Sequence, residues 1–316
     1  MGVYAAQLMS YIVIAFKRTV ERQWKGPRTV SNPDPRTLRG RVVVVTGASR
    51  GIGAAIAVRA AEDGAAVALL AKTSTPNPKI SGTLGETAEA VERAGGRALP
   101  LACDVRDAAA VASAIEAVAE AFGGIDVVIN NAGALDLRPT ESLPPKSLRK
   151  LLEINVEGPF AVVQAALLHL RRSTNAHVVN VAPPLSLEPR WVGAHVGHTV
   201  GKYAESLLTL GWADEFASIP IAVNSLWPAT TVASTGMMVA MGEAVVRAQA
   251  RSPQIMADAV HALVTRPAAA CSGHFYTDEE LLREEGRDDL SDYLLAACEE
   301  DLTPNFYLPS APLPTI

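Results

Sequence analysis

His198 and Lys202 stand four residues apart in His198-Thr199-Val200-Gly201-Lys202. On a helix that spacing puts an imidazole and an ammonium on one face. An imidazole titrates near neutral pH and can take or give a proton, and an adjacent cation pushes it toward its neutral, accepting form. A second set of residues is suited to an anion. In Val42-Val43-Val44-Val45-Thr46-Gly47-Ala48-Ser49-Arg50-Gly51-Ile52-Gly53 a β-branched run breaks into a glycine-rich turn, followed by an alanine-rich helical stretch. Gly47, Gly51 and Gly53 lack Cβ atoms. They permit a tight turn, let the backbone of Ser49, Arg50 and Ile52 approach a pyrophosphate, and let the next helix pack closely with its N-terminal N–H groups aimed at the anion.

These residues need a sheet and helices to position them. Four consecutive valines predict a parallel strand buried on both faces, because a half-exposed strand alternates apolar with polar residues. Further strands are expected at Ala66–Ala71, just before Cys103, at Val127–Asn130, over residues 177–181 and 221–228, and from Ser272 to Tyr276. Helices are expected over residues 51–63, 86–94, 108–122, 146–172 and 195–216. The alternation through residues 41–277 predicts an α/β fold, a Rossmann-type doubly wound parallel sheet of about seven strands in a single domain. A chain of 316 residues, 49% hydrophobic, can bury one large core of this kind. The expected divisions are an N-terminal extension over residues 1–38, the Rossmann domain over 39–285, and an acidic, then proline-rich tail over 286–316.

The pattern Thr-Gly-x-x-x-Gly-x-Gly at residues 46–53 does not stand alone. Cys103-Asp104-Val105 follows the third strand and Ile129-Asn130-Asn131-Ala132-Gly133 ends the fourth. Asn155 falls in a predicted helix, and Asn224 to Pro228 closes the sixth strand. In this order the motifs resemble the short-chain dehydrogenase/reductase family over roughly residues 38 to 285. Ala71-Lys72-Thr73, Pro183-Pro184 and Trp227-Pro228 are most similar to its hydroxysteroid-dehydrogenase-like group. The family places Tyr-x-x-x-Lys where this chain has His198 to Lys202. There the lysine depresses the tyrosine pKa and binds ribose, the tyrosine exchanges a proton with a carbonyl oxygen, and a serine positions that oxygen. Here the tyrosine is a histidine, and Ala182-Pro183-Pro184 fills the serine's place. Tyr203 lies about 100° around the helix from Lys202 and is no substitute for a residue at 198.

The resemblance implies an oxidoreductase acting on the carbonyl or alcohol of an apolar small molecule. His198 is expected as the proton-transfer residue, Lys202 and Asn155 hold ribose and an ordered water, and Ser186 contacts the carbonyl. The alternative is a cofactor- or ligand-binding scaffold, a sensor or a non-redox catalyst on the same fold, which the loss of both tyrosine and serine also fits.

The cofactor expected is NADP(H). A carboxylate beside the adenosine ribose favours NAD, and a cation favours the 2′-phosphate of NADP. The second strand ends in Lys72-Thr73-Ser74 without a carboxylate, and Arg50 is a second cation. By resemblance, Asp104 and Val105 line the adenine, Asn131 and Gly133 run under the ribose, and Pro228 and Thr231 reach the nicotinamide amide, although the family's Pro-Gly is Pro228-Ala229 here.

The formal net charge of −5 gives no basic field and speaks against a nucleic-acid partner. Cys103, Cys271 and Cys298 are spaced unlike a disulfide framework or zinc site, so each is expected as a small buried side chain in a reducing, cytoplasmic setting, and no metal is expected. Tyr4 to Phe16 is apolar and followed by basic residues, about 14 residues where a bilayer needs about 20. A helix packed on the domain or on a neighbouring subunit is preferred there over contact with a membrane surface. Ala233 to Ser252, with Gly236, Met237, Met238 and Met241, lies where the family carries a substrate lid, and Trp191 and Trp227 are expected as aromatic walls. The acidic segment from Thr277 onward is expected to be a solvated surface helix and tail without chemistry, with the prolines from Pro304 to Pro314 either free or extended across the subunit or its partner. The two long helices after the fourth and fifth strands imply a homodimer or homotetramer.

Overall fold

The valine run forms β1 (Val42–Thr46), buried along its whole length as a strand covered on both faces must be. Its side chains alternate between two cores. Val43 and Val45 enter the larger one, and Val42 and Val44 the other. The computed structural model describes residues 36–75 and 81–309. Expectations for the N-terminal extension up to residue 35 and for the last prolines lie outside those residues.

Seven parallel strands are arranged in the order β3-β2-β1-β4-β5-β6-β7. The others are β2 (Ala66–Ala71), β3 (Arg97–Ala102), β4 (Val127–Asn130), β5 (Ala176–Asn180), β6 (Ile221–Trp227) and β7 (Phe275–Thr277). The order reverses between β1 and β4, and a crevice forms outside the carboxyl ends of the strands at such a switch point. Helices α1 (Gly51–Glu62), α2 (Leu84–Arg93) and α3 (Ala108–Phe122) follow the first three strands. α4 (Pro145–Leu170) follows β4. After β5 come α5 (Pro189–Ala194) and α6 (Val196–Glu215), and after β6 come α7 (Thr235–Met241), α8 (Glu243–Arg247) and α9 (Gln254–Val264). α10 (Asp278–Glu284) follows β7 and opens with a capping box, Thr277 accepting from the Glu280 N–H and Glu280 from the Thr277 N–H.

Three expectations are corrected. The helix expected over residues 146–172 is interrupted at Glu153–Glu157 by a π turn, which periodicity does not reveal and which is frequent at functional sites. The seventh strand begins only at Phe275, because Gly273 turns the chain at φ +81°. The acidic C-terminal segment, expected to be solvated, is tied into the domain, and the start of the proline stretch lies across the subunit, one of the two placements expected for it. Arg251 is buried and binds Glu279 and Glu299, each at 3.1 Å, together with the Leu290 carbonyl at 2.8 Å. Further along, Asn305 N–H donates to Ala229 O at 2.9 Å, and the Trp227 indole donates to Phe306 O at 3.0 Å. Tyr307 is 1% exposed, packed among Trp191, His195, Tyr203 and Trp227. Of the acidic residues Asp278 is buried, Glu279 and Glu299 pair with Arg251, and Glu284 and Glu285 pair with Arg266, while the short aromatic stretch between prolines carries the apolar area that holds the segment down.

Candidate active site

The glycine turn is built as the spacing requires. Gly47 and Gly51 have φ of +66° and +56°, a region that strains any side chain. A Cβ on Gly53 would lie 2.5 Å from the Gly47 carbonyl oxygen, so only glycine lets α1 approach the turn this closely. Thr46 and Asn131 bind the turn to the end of β4. Thr46 Oγ1 accepts from the N–H groups of Asn131 and Ala132, both at 3.0 Å, and Asn131 Nδ2 donates to Thr46 O at 2.9 Å. Arg50 caps α1 without a side-chain acceptor, and the first turn holds no acid. The N-terminal N–H groups and the positive end of the helix are therefore left for an anion.

A cleft of about 680 Å³ runs from this turn across the sheet ends to His198, within the range of small-molecule and cofactor sites. Gly47, Ser49, Arg50, Gly51 and Ile52 line one end together with Lys72, Asp104 and Val105. Asn131, Gly133, Pro228 and Thr231 line the middle. Arg50 Nη2 donates to Gly82 O at 2.7 Å, while its buried Nε meets no protein acceptor. Lys72 is exposed at the end of β2. Asp104 is held below the usual carboxylate range, chiefly by hydrogen bonds from Arg106 at 3.0 and 3.1 Å. A turn closed to any Cβ and an orphaned arginine nitrogen beside an uncapped helix fit a dinucleotide phosphate group.

At the other end, His198 and Lys202 reach the cleft together, both on α6. Burial, reinforced by Lys202 and His195, pushes the His198 imidazole down to about 3, so the ring is neutral near neutral pH. Its Nδ1 has no protein partner, and the ring hydrogen-bonds the Ala134 backbone. Lys202 Nζ donates to Val181 O at 2.8 Å and to Glu205 Oε2 at 2.7 Å. Burial pushes Glu205 up to about 7, against the pull of Lys202.

Two expected site residues are placed elsewhere. Asn155 lies in the π turn and clasps Ala134, accepting from its N–H at 2.8 Å and donating to its carbonyl at 3.1 Å. It thus shapes the loop behind Gly133 and does not line the cleft. Ser186 is also absent from the lining, and its hydroxyl accepts from Glu188 N–H at 3.4 Å. The loop after Pro183-Pro184 carries it outward. Trp227 forms a wall as expected, but Trp191 is wholly buried behind the cleft against Tyr307. Cys298 is exposed, in contrast to Cys103 and Cys271.

The cleft also contains residues that sequence reasoning missed. Asn305 and Phe306 of the docked C-terminal segment line it. Glu205 resembles an ordinary mid-helix charge, yet its spacing of three from Lys202 puts both on one face. Asp278, at the start of α10, is buried and accepts from the Ala229 N–H at 2.8 Å, fixing the backbone just after Pro228. On the lid side, Met237, Val239 and Ala240 of α7 face the cleft, and Val239 remains 65% exposed.

Comparison with known proteins agrees with this geometry. The sequence pattern of the short chain dehydrogenase family matches residues 41–245. A rat protein, hydroxysteroid dehydrogenase-like protein 2, is 42% identical over 280 residues, 89% of this chain and 53% of its own length. The chain thus spans about half of that relative. A solved short chain dehydrogenase of Mycobacterium thermoresistibile is 39% identical, with a TM-score of 0.82, covering 88% of this chain and 98% of that one. A short chain dehydrogenase of Burkholderia cenocepacia in complex with NADP is 29% identical (TM-score 0.65, 76% of this chain, 96% of that one). One of Mycobacterium paratuberculosis bound to NAD shares the fold at 24% identity (TM-score 0.66, 78% and 99%). With the family pattern over residues 41–245 and relatives of this identity over most of its length, the chain belongs to the short-chain dehydrogenase family.

Proposed function

We propose that this chain is an NADP(H)-dependent oxidoreductase that interconverts the carbonyl and alcohol of an apolar small molecule. The observation that carries the reading is the continuity of one cleft from the glycine turn to His198 and Lys202, with an apolar lid beside it. The turn and the first N–H groups of α1 would hold the pyrophosphate, and Lys202 the nicotinamide ribose. Arg50 and Lys72, with no carboxylate at the end of β2, favour a 2′-phosphate. When bound, the nicotinamide supplies or accepts a hydride at the carbonyl carbon.

The protein's own contribution is to orient and dry the reacting centre. Trp227, Phe306, Met237 and Val239 supply apolar walls that suit an apolar substrate and exclude water. His198 stands where the family has tyrosine; its neutral ring gives its one N–H to the Ala134 backbone, which leaves Nδ1 to accept from an alcohol hydroxyl. Reduction of a panel of apolar ketones and aldehydes, followed by loss of NADPH absorbance, tests the reading. His198→Ala is expected to slow turnover about fivefold, the loss of one hydrogen bond worth about 1 kcal/mol. Unchanged turnover in that variant would remove His198 from the chemistry.

A second reading, cofactor binding without hydride transfer, rests on a specific observation. Among the described residues no tyrosine lines the cleft, and by the family resemblance alanine or proline of Ala182-Pro183-Pro184 stands in the serine's place. NADPH binding without turnover of any carbonyl, in the wild type and in His198→Tyr/Ala182→Ser alike, would favour it.

A further inference from the structure

Glu205 is wholly buried, and its Oε1 meets no protein partner. Its Oε2 accepts from Lys202 Nζ, which also donates to Val181 O and keeps its third N–H for the cleft. A buried ion pair gains little stability over apolar residues of the same volume, so packing alone does not account for a carboxylate here. The remaining groups at this end of the cleft are poor proton donors. Tyr203 donates its hydroxyl to Ser186 O at 2.7 Å, and the Tyr307 hydroxyl lies 3.2 Å from Thr199 Oγ1. Neither tyrosine lines the cleft. His198 is a neutral ring, and Asp104 is paired with Arg106 at the other end.

Building on the reading of the cleft as a carbonyl/alcohol site, we propose that the Lys202–Glu205 pair does the missing tyrosine's work, Lys202 Nζ giving the proton to the substrate oxygen and Glu205 resupplying it. In the reducing direction a hydride from the reduced nicotinamide forms the new C–H bond, and the C=O π pair moves onto oxygen. One N–H bond of the Lys202 ammonium breaks to form the O–H bond. The lysine amine takes the proton of the Glu205 carboxyl, whose carboxylate recovers one from solvent. Oxidation runs the same path backward. Burial holds the Glu205 carboxyl near neutral pH, so it carries a proton part of the time under working conditions. The charged group acting on it is Lys202, from one turn earlier on α6. The end of β5 faces the lysine with the uncharged Val181 carbonyl, and His198 adds no charge. Glu205 acts through Lys202 and is a positioning residue in this scheme.

The test uses the full chain and needs no substrate. NADP⁺, and separately NAD⁺ and NADPH, are titrated by calorimetry in buffers of different ionisation enthalpy from about pH 5.5 to about 8.5. The cationic ring of NADP⁺ beside the pair is expected to drive a proton off Glu205, with release greatest near pH 7, and NADPH is expected to release much less. Glu205→Gln should bind NADP⁺ within about threefold of wild type and release no proton near pH 7, whereas Glu205→Asp should retain release. Infrared difference spectra of the wild type should show the band of a protonated buried carboxyl fading as NADP⁺ binds, which decides the matter even if Glu205→Gln does not fold. Proton release that persists in Glu205→Gln, or no such band in the wild type, overturns the proposal while leaving the cofactor reading intact. Failure of the wild type to bind NADP⁺ and NAD⁺ overturns the cofactor reading and the proposal together.

Discussion

A Cβ atom placed on Gly53 would lie 2.5 Å from Asn131 Nδ2, the atom that ties β4 to the glycine turn. The first turn of α1 and the exit of β4 therefore share one contact that admits no side chain. Gly53→Ala is expected to cost about 1–3 kcal/mol of stability, the range for overpacking a closed site. Because the same contact sets the pyrophosphate cradle, NADPH affinity should fall at least about tenfold, which is about 1.4 kcal/mol. Urea unfolding and a fluorescence titration measure the two effects separately.

Tyr307 predicts the weight of the docked C-terminal segment. Its ring packs on Trp191, Tyr203 and Trp227 at centroid distances of 5.2 to 6.0 Å. Removing a buried aromatic side chain costs about 3–5 kcal/mol. Tyr307→Ala should reach that range in chemical denaturation and loosen the Phe306 wall. A loss below about 1 kcal/mol would show that the segment is not part of the fold's stability.

The long helices leave an apolar stripe. Val196, Val200, Leu207 and Leu210 of α6 are spaced four, seven and three apart and are all exposed, and Phe160 of α4 is 47% exposed beside Trp212. An exposed apolar stripe of this kind is a surface on which a second copy of the chain is expected to pack. Light scattering should find a dimer or tetramer, and Leu207→Glu with Phe160→Glu should shift it toward monomer while leaving the secondary structure unchanged. A wild-type monomer at micromolar concentration would contradict this.

Stability should respond to pH through opposed groups. Burial lowers His195 to about 4, so the native state binds fewer protons than the unfolded chain between about pH 4 and about 6.5, and stability is lost as pH falls through that window. Asp278 and Glu205, both raised to about 7 by burial, act in the opposite sense, losing stability as pH rises from about 4 toward 7. His195→Phe keeps the ring packing and should reduce the loss between pH 7 and pH 4 by about 2–3 kcal/mol. An unaltered pH profile of urea midpoints in that variant would show that the ring titrates alike in the native and unfolded states.

Much of the frame was legible because it rests on short-range rules. The boundaries of β2, β4 and α3 follow from apolar runs, from Asn130 at the sheet end, and from the Asp107 cap with Gly123 at the end. The cofactor end was legible for a similar reason, since the glycine spacing prescribes backbone geometry directly. The rest depends on long-range contacts. The acids around Glu279 suggest a solvated surface until the buried guanidinium of Arg251 is seen between Glu279 and Glu299. Asn305 and Phe306 lie about 80 residues beyond the β6 end that they cover, and nothing local marks them as cleft residues. Asn155 is expected in the site from sequence, but its clasp on Ala134 depends on a π turn that has no local signature.

On the reading proposed above, the cleft holds NADP(H) in preference to NAD(H). The purified chain should be titrated with NADPH and with NADH, following quenching of its tryptophans and the rise of nicotinamide emission. NADPH should bind at least about tenfold tighter than NADH, with Lys72→Asp reversing the order. Equal or tighter binding of NADH, unchanged in Lys72→Asp, would contradict it.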